Sequence, residues 1–205
     1  MQRSKHEYVR LKPVGILRVV RTVATASDGR ALCFLDTGFW RFRCSLGRSG
    51  VTRAKREGDG CTPIGRFEML EWRLRSEGKV VRRPLGRRRV IRPLDGWCDD
   101  PRSGSYNTQI GLPSRLSHEN MWRADNKYDV IAILNYNISA KTLGRGSAIF
   151  FHLCSNEFEP TAGCVAVPSA SMSKLIPLLR QRSRIDILSE RRKLPNRPVS
   201  RSRRV

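Results

Sequence analysis

From Trp40 to Leu46 the chain reads Trp-Arg-Phe-Arg-Cys-Ser-Leu, an unbroken alternation of apolar and polar side chains. That is the period-two pattern of a strand with one face buried. Short runs of similar character recur at 16–23, 31–36, 67–74, 89–94, 129–134, 147–153, 164–167 and 185–188, set apart by Gly, Pro, Asn or Asp. Strands at this density, without regular helices between them, predict a mainly β domain, an antiparallel sandwich or barrel. Two segments read as helices instead, 114–123 and 169–182. In the second, Met172, Leu175, Ile176 and Leu179 share a face, Ser169 is placed to cap the start, and Pro177 should kink or shorten the helix. No internal repeat interrupts this picture.

With 205 residues and no Gly/Pro/Ser linker, the pattern implies one domain with frayed ends. Residues 1–14 read as an N-terminal arm, 15–188 as the folded domain and 189–205 as a basic, disordered tail. The tail holds seven Lys or Arg against one acid, with Pro195 and Pro198 and no apolar periodicity. No apolar stretch approaches the roughly 20 residues needed to span a bilayer. Even 148–153 is stopped by Cys154-Ser155-Asn156-Glu157, so a soluble chain without a transmembrane segment is expected. The basic start is not followed by an export signal's apolar stretch, since 14–20 is short and carries Arg18.

Charge adds a question about partners. Forty Lys and Arg against 18 Asp and Glu give a formal +22, which favours solubility and attraction to polyanions. The aromatics are not interleaved with the basic runs as a base-stacking platform would require, so no specific nucleic-acid site is read from them. Arg82, Arg83, Arg87, Arg88, Arg89 and Arg92 flank Pro84-Leu85-Gly86, as in a loop or solvated edge strand. Six cysteines include no Cys-x-x-Cys pair and no zinc-ribbon or finger spacing, so reduced thiols are expected.

The chemistry concentrates in 146–168, where His152 ends one apolar run and Cys164 begins the next. If 155–163 is the loop of a hairpin, the two side chains can face each other with Cβ atoms about 5 Å apart. A neighbouring imidazole can take the thiol's proton, and the thiolate is the form that attacks a carbonyl. Gly163 would permit a tight backbone there, with amide N–H groups turned toward a developing oxyanion. Spacing alone leaves the bland reading open: Cys is often a buried hydrophobe, and a His ending an apolar strand is often a satisfied core residue.

His152, followed by Pro160-Thr161-Ala162-Gly163-Cys164-Val165, resembles the active-site signature of the L,D-transpeptidase (YkuD-type) family. Upstream, Cys61-Thr62-Pro63-Ile64-Gly65-Arg66-Phe67 is similar to that family's Thr-Pro-x-Gly-x-Phe segment, and Gly96-Trp97-Cys98-Asp99-Asp100-Pro101 extends the resemblance across about 15–188. Departures are Ala162 where a His usually precedes Gly-Cys, Ala166 where an Arg is frequent, and Leu153 where a small residue follows the His. The resemblance implies a β-sandwich or barrel of mixed, mostly antiparallel strands with one or two peripheral helices. It also implies the reaction: a thioester on Cys164 formed from a peptidoglycan stem peptide and resolved by an amine of a second stem, cross-linking third residues. His152 would be the base, with backbone N–H groups around Gly163 and Cys164 holding the oxyanion.

The same resemblance implies no metal or organic cofactor, peptidoglycan stems as partners, a monomer, and a cell-envelope or periplasmic role in wall biogenesis and cell shape. The missing export signal leaves a cytoplasmic location open. Residues 117–129 are dense in polar and aromatic groups and are expected to line the cleft, with Arg123 pairing a substrate carboxylate and His118 orienting polar groups near the thiol. The rival reading is an ordinary amphipathic helix with Trp122 packed inward. Trp122, Thr161 and Tyr106 complete the expected substrate-binding set. Three alternatives stay in view: L,D-carboxypeptidase or amidase-like hydrolysis at the same site, nucleic-acid binding through the basic charge, and a metal held by His152, Cys154 and Cys164.

Overall fold

The structure is a computed structural model that describes residues 13–27, 29, 31–76 and 83–192. Its strands are β1 (Val14–Thr25), β2 (Ala31–Asp36), β3 (Arg41–Cys44), β4 (Val51–Thr52), β5 (Thr62–Pro63), β6 (Gly65–Leu74), β7 (Arg88–Val90), β8 (Asp95–Cys98), β9 (Gln109–Gly111), β10 (His118–Asn120), β11 (Val130–Leu134), β12 (Phe150–Cys154), β13 (Val165–Pro168) and β14 (Leu179–Arg192). One helix, α1 (Ser169–Leu175), precedes β14. The main sheet runs β13-β12-β11-β6-β14-β1-β2-β3, with β7 added at β6. Ser45, just past β3, exchanges two backbone hydrogen bonds of 2.8 and 3.0 Å with Ala166 in β13. That contact links the two ends of the sheet and nearly closes it into a barrel, removing exposed edges. The domain is thus mainly β and mixed, with antiparallel pairings outnumbering parallel ones, as the resemblance implied.

Alternation explains the outer strands: in β1, Leu17 and Val19 face inward while Arg18 between them faces out. β11 breaks the rule. All five of its residues are buried, with Val130, Ala132 and Leu134 in the barrel core and Ile131 and Ile133 in a second cluster. A strand covered on both faces has no polar side to show. The covering layer is the small sheet β10-β8-β9, whose Trp97 packs edge-on against Phe150 at 5.2 Å between ring centroids. β12 divides its side chains in the same way. Phe151 enters the core, while Phe150 joins the second cluster together with Cys164.

Several expectations need correction. Residues 114–123 contain no helix; 118–120 is a strand pairing with β8 in the register His118↔Cys98. The small sheet supplies those backbone hydrogen bonds, and that tertiary pairing overrides the local spacing. The helix expected over 169–182 stops at Leu175, because Pro177 starts a single 3-10 turn (Ile176–Leu178) and Leu179 already belongs to β14. The cap position is Pro168, without a side-chain cap from Ser169. β12 and β13 are parallel, so 155–163 is a crossover and not a hairpin loop. Finally, β14 runs on to Arg192 beside β1, so 189–192 is ordered strand, and Val14 already belongs to β1. The rest of the expected tail, 193–205, and the arm up to residue 12 lie outside the described residues, as does Arg82. The neighbouring arginines do form a solvated edge: β7 is exposed throughout, and Arg87 and Arg89 reach Glu71. Among the described residues, no helix is long and apolar enough to cross a membrane.

Candidate active site

The register Phe151↔Val165 and His152↔Ala166 places Cys164, one residue before β13, level with Phe150. Phe150 and His152 project to the same face of β12, so the imidazole stands one step further along the strand, diagonal to the thiol. Cys164 and His152 are each 5% exposed, and both line one cleft of about 200 Å³ with Tyr128, Glu119, Arg123, Lys127 and Thr161.

Backbone groups set the sulfur. Cys164 Sγ donates to the carbonyl of Ala148 at 3.1 Å and accepts the Phe150 N–H at 3.3 Å. Ala148 is held at φ 51, a left-handed conformation that costs energy in a residue with a Cβ. Buried Asn107 holds that turn in place: its Oδ1 accepts from the Ala148 N–H at 3.0 Å and from Trp97 Nε1 at 2.9 Å. On the other side, the Thr161 hydroxyl donates to the Cys164 carbonyl at 2.7 Å and accepts the Gly163 N–H at 3.1 Å. Behind them stands Thr62 in β5, which accepts the Gly47 N–H at 2.8 Å and donates to the Cys164 carbonyl at 3.5 Å. Gly163 has φ 153, and a Cβ there would come within 2.9 Å of the Cys61 carbonyl oxygen. Only glycine lets the chain pass so close before the cysteine.

His152 Nδ1 lies 2.7 Å from the Leu153 carbonyl oxygen. A carbonyl only accepts, so Nδ1 carries the proton and Nε2 keeps its lone pair. Burial lowers the imidazole's pKa to about 4, with Arg123 acting in the same direction and the carbonyl opposing. Burial raises the Cys164 thiol well above its ordinary range, and the Glu119 carboxylate adds to the rise. Both groups are therefore neutral at rest near pH 7. Tyr128 ties the cleft together: its hydroxyl donates to Glu119 Oε2 at 2.6 Å and also reaches the Cys164 sulfur, while its ring meets the His152 ring edge-on at 5.0 Å. Burial raises the pKa of both Tyr128 and Glu119.

Of the residues singled out in the sequence, Cys164, His152, Arg123 and Thr161 come together in the cleft, with Gly163 adjoining. Arg123 sits at the rim, its guanidinium held by Asp125 at 2.9 and 2.6 Å and lying 5.1 Å from the Tyr128 ring. His118, Trp122 and Tyr106 are not in that lining. His118 is half-buried on β10 with Nδ1 2.6 Å from the Leu116 carbonyl oxygen, and Trp122 stacks beneath the Arg75 guanidinium at 3.8 Å. Tyr106 is fully buried and donates to Glu57, which also accepts from Ser147. Glu119, Lys127 and Tyr128 line the cleft as well; they belong to the segment 117–129 expected there, though none was named individually. Glu119 follows from strand geometry alone, because the neighbour of an outward His118 points to the opposite face.

Among the described residues, no group of three His, Cys, Asp or Glu side chains is placed to hold a metal ion. Comparison with curated proteins gave no match. Comparison with family sequence models gave one that covers most of the chain, the L,D-transpeptidase catalytic domain (YkuD), over residues 23–187. With that span, and with a mixed barrel that sets Cys164 and His152 in one cleft, the chain belongs to the L,D-transpeptidase catalytic-domain family.

Proposed function

We propose that the protein is a cysteine acyltransferase that cross-links peptidoglycan stem peptides, with Cys164 as nucleophile and His152 as general base. The observation that carries this reading is the setting of the sulfur: an amide N–H 3.3 Å away, and in the same cleft an imidazole whose Nδ1–H is fixed on Leu153. A neutral thiol beside a neutral imidazole calls for proton transfer in step with attack, not a preformed ion pair. The Cys164 S–H turns from the Ala148 carbonyl toward His152 Nε2 and gives up its proton there as Sγ bonds to the carbonyl carbon of the third residue of the stem. Collapse breaks the C–N bond, and the imidazolium returns the proton to the departing D-alanine amine, leaving a thioester. An amine from a second stem, deprotonated by His152, then displaces the sulfur and forms the cross-link.

The Phe150 N–H steadies the sulfur's developing charge. The carbonyl oxygen's charge falls to backbone amides at Cys164 and its neighbours, since the Gly163 N–H is engaged by Thr161. Arg123 and Lys127 are the rim cations for a substrate carboxylate, which would compete there with Asp125 and Glu159. No metal or organic cofactor enters this scheme. The same reading implies a cell-envelope location and a monomer. If water replaces the second amine, the same site works as an L,D-carboxypeptidase.

The test is intact-mass analysis after incubation with a tetrapeptide stem, comparing the native chain with Cys164→Ser. A thioester-sized adduct on the native chain and none on the variant is the expected result; no adduct on either would end the proposal. Mass spectrometry of the products then separates transfer, which yields dimers, from hydrolysis, which yields only tripeptides.

A further inference from the structure

Residues 83–94 read Arg-Pro-Leu-Gly-Arg-Arg-Arg-Val-Ile-Arg-Pro-Leu. The segment is well anchored. Pro84 and Ile91 are buried near its two ends, Ile91 in the second apolar cluster. Between them β7 pairs with β6, and the Trp72 N–H bonds the Arg87 carbonyl and the Ile91 N–H the Leu74 carbonyl, each at 2.9 Å. Apart from those two anchors and half-buried Gly86, every residue of the segment is exposed. Leu85, Val90 and Leu94 are 62%, 54% and 63% exposed, so half of the large apolar side chains that lie open among the described residues fall in this one stretch. Glu71 lies behind it, shared by Arg73, Arg87 and Arg89, and Asp95 closes it by accepting the Arg92 N–H at 2.8 Å. Arginine and proline on an edge strand guard against pairing with another chain, which accounts for the cations. It does not account for three aliphatic side chains held open among them.

We infer that 83–94 is a docking surface for an anionic phospholipid bilayer, with the arginines on headgroup phosphates and Leu85, Val90 and Leu94 at the boundary between headgroups and acyl chains. Basic and aliphatic side chains interleaved on one exposed element meet both layers of such a surface at once. Guanidiniums suit phosphate oxygens, which they engage through paired N–H groups. A nucleic acid offers the phosphates but no aliphatic layer, and the segment has no aromatic ring to stack on a base. None of these residues is in the lining of the catalytic cleft, so the inference stands apart from the acyl-transfer reading.

The experiment sediments the full chain with vesicles of phosphatidylglycerol and phosphatidylcholine, and with vesicles of phosphatidylcholine alone. Three variants accompany it: Leu85→Ser/Leu94→Ser, which keeps every charge; Arg88→Gln/Arg92→Gln; and Arg53→Gln/Arg115→Gln, which removes two exposed charges outside the segment. The native chain is expected to bind the anionic vesicles and not the neutral ones. The Ser form should bind at least about tenfold more weakly. The Arg88/Arg92 form should lose roughly 20-fold, at about fivefold per cation near an anionic surface, and the Arg53/Arg115 form under about threefold. A native chain that ignores anionic vesicles overturns the inference. So does a Ser form that binds as the native chain does, which leaves only a charged surface, or an equal loss in the two Gln forms, which leaves only net charge. A DNA oligonucleotide lost by the Arg88/Arg92 form and kept by the Ser form, with vesicle binding unchanged in both, would assign the segment to nucleic acid and also overturn it.

Discussion

The crossover 155–163 has two unlike sides. On one, a thiol and an imidazole are buried and uncharged, and the nearest acid, Glu119, has its own pKa raised. On the other, three arginines, Arg21, Arg43 and Arg48, line a cavity, and among the described residues no Asp or Glu joins that lining. Burial holds the first side in its neutral forms, because charged groups are costly where water is excluded. On the second, Arg48 is exposed and Arg43 half-buried, so charge persists at little cost. A short loop thus separates the proposed reaction centre from a strongly basic cavity. The difference teaches that the net charge of +22 says little about the reacting centre, which is the least charged part of the cleft.

The largest way to break this contrast is to remove the base. His152→Ala is expected to lower acylation of Cys164 by about 10²- to 10⁴-fold, the usual range for a lost general base. The check is the rate of adduct formation by intact mass; a loss under threefold would mean that the thiol ionises without the imidazole. A smaller effect is expected at the hinge between the two sides. Gly163→Ala sets a Cβ about 2.9 Å from the Cys61 carbonyl oxygen, and overpacking of this kind costs about 1–3 kcal/mol. Urea denaturation should show that loss, whereas Gly104→Ala, with open space around the new methyl, should not.

The subtlest test concerns the pair beside the sulfur. The Glu119 carboxylate raises the Cys164 pKa, and the Tyr128 hydroxyl lowers it. Glu119→Gln removes a negative charge that opposes the thiolate, so the pH profile of Cys164 alkylation should move to lower pH. Tyr128→Phe removes a group that favours the thiolate, so its profile should move to higher pH. Each shift is expected within about one pH unit. A purely structural pair would move both profiles in the same direction or not at all.

How much of this was legible in the sequence depends on how local the determining contacts are. The run 31–36 became β2 with the same bounds, and 129–134 became β11 with one residue fewer, because an apolar stretch between turn residues is a local signal. The same local signal placed His152 and Cys164 at the ends of two such runs, but it left their role open, and only the family resemblance pointed to a catalytic pair. Segment 114–123 was misread because β10 is a strand only by virtue of β8, some 20 residues earlier, and no local pattern announces a distant partner. The parallel crossover was misread because so short a connection ordinarily makes a hairpin. Here the loop leaves the sheet and finds hydrogen-bond partners just beyond β3, Thr161 pairing with Leu46 and Arg48, before re-entering in the same direction as β12. The Phe150 amide and the Ala148 carbonyl that set the sulfur were invisible, since main-chain groups carry no residue-type signature.

The bond from Thr62 to the Cys164 carbonyl spans 102 positions of sequence, and Ser45 to Ala166 and Arg48 to Thr161 add further ties between the two halves of the chain. A chain emerging from the ribosome therefore has its N-terminal half in the open long before the cysteine appears, and such distant contacts form slowly. Until that last seam shuts, the sulfur is an ordinary thiol on a floppy polymer. On the proposed mechanism, chemical competence arrives only with topological completion.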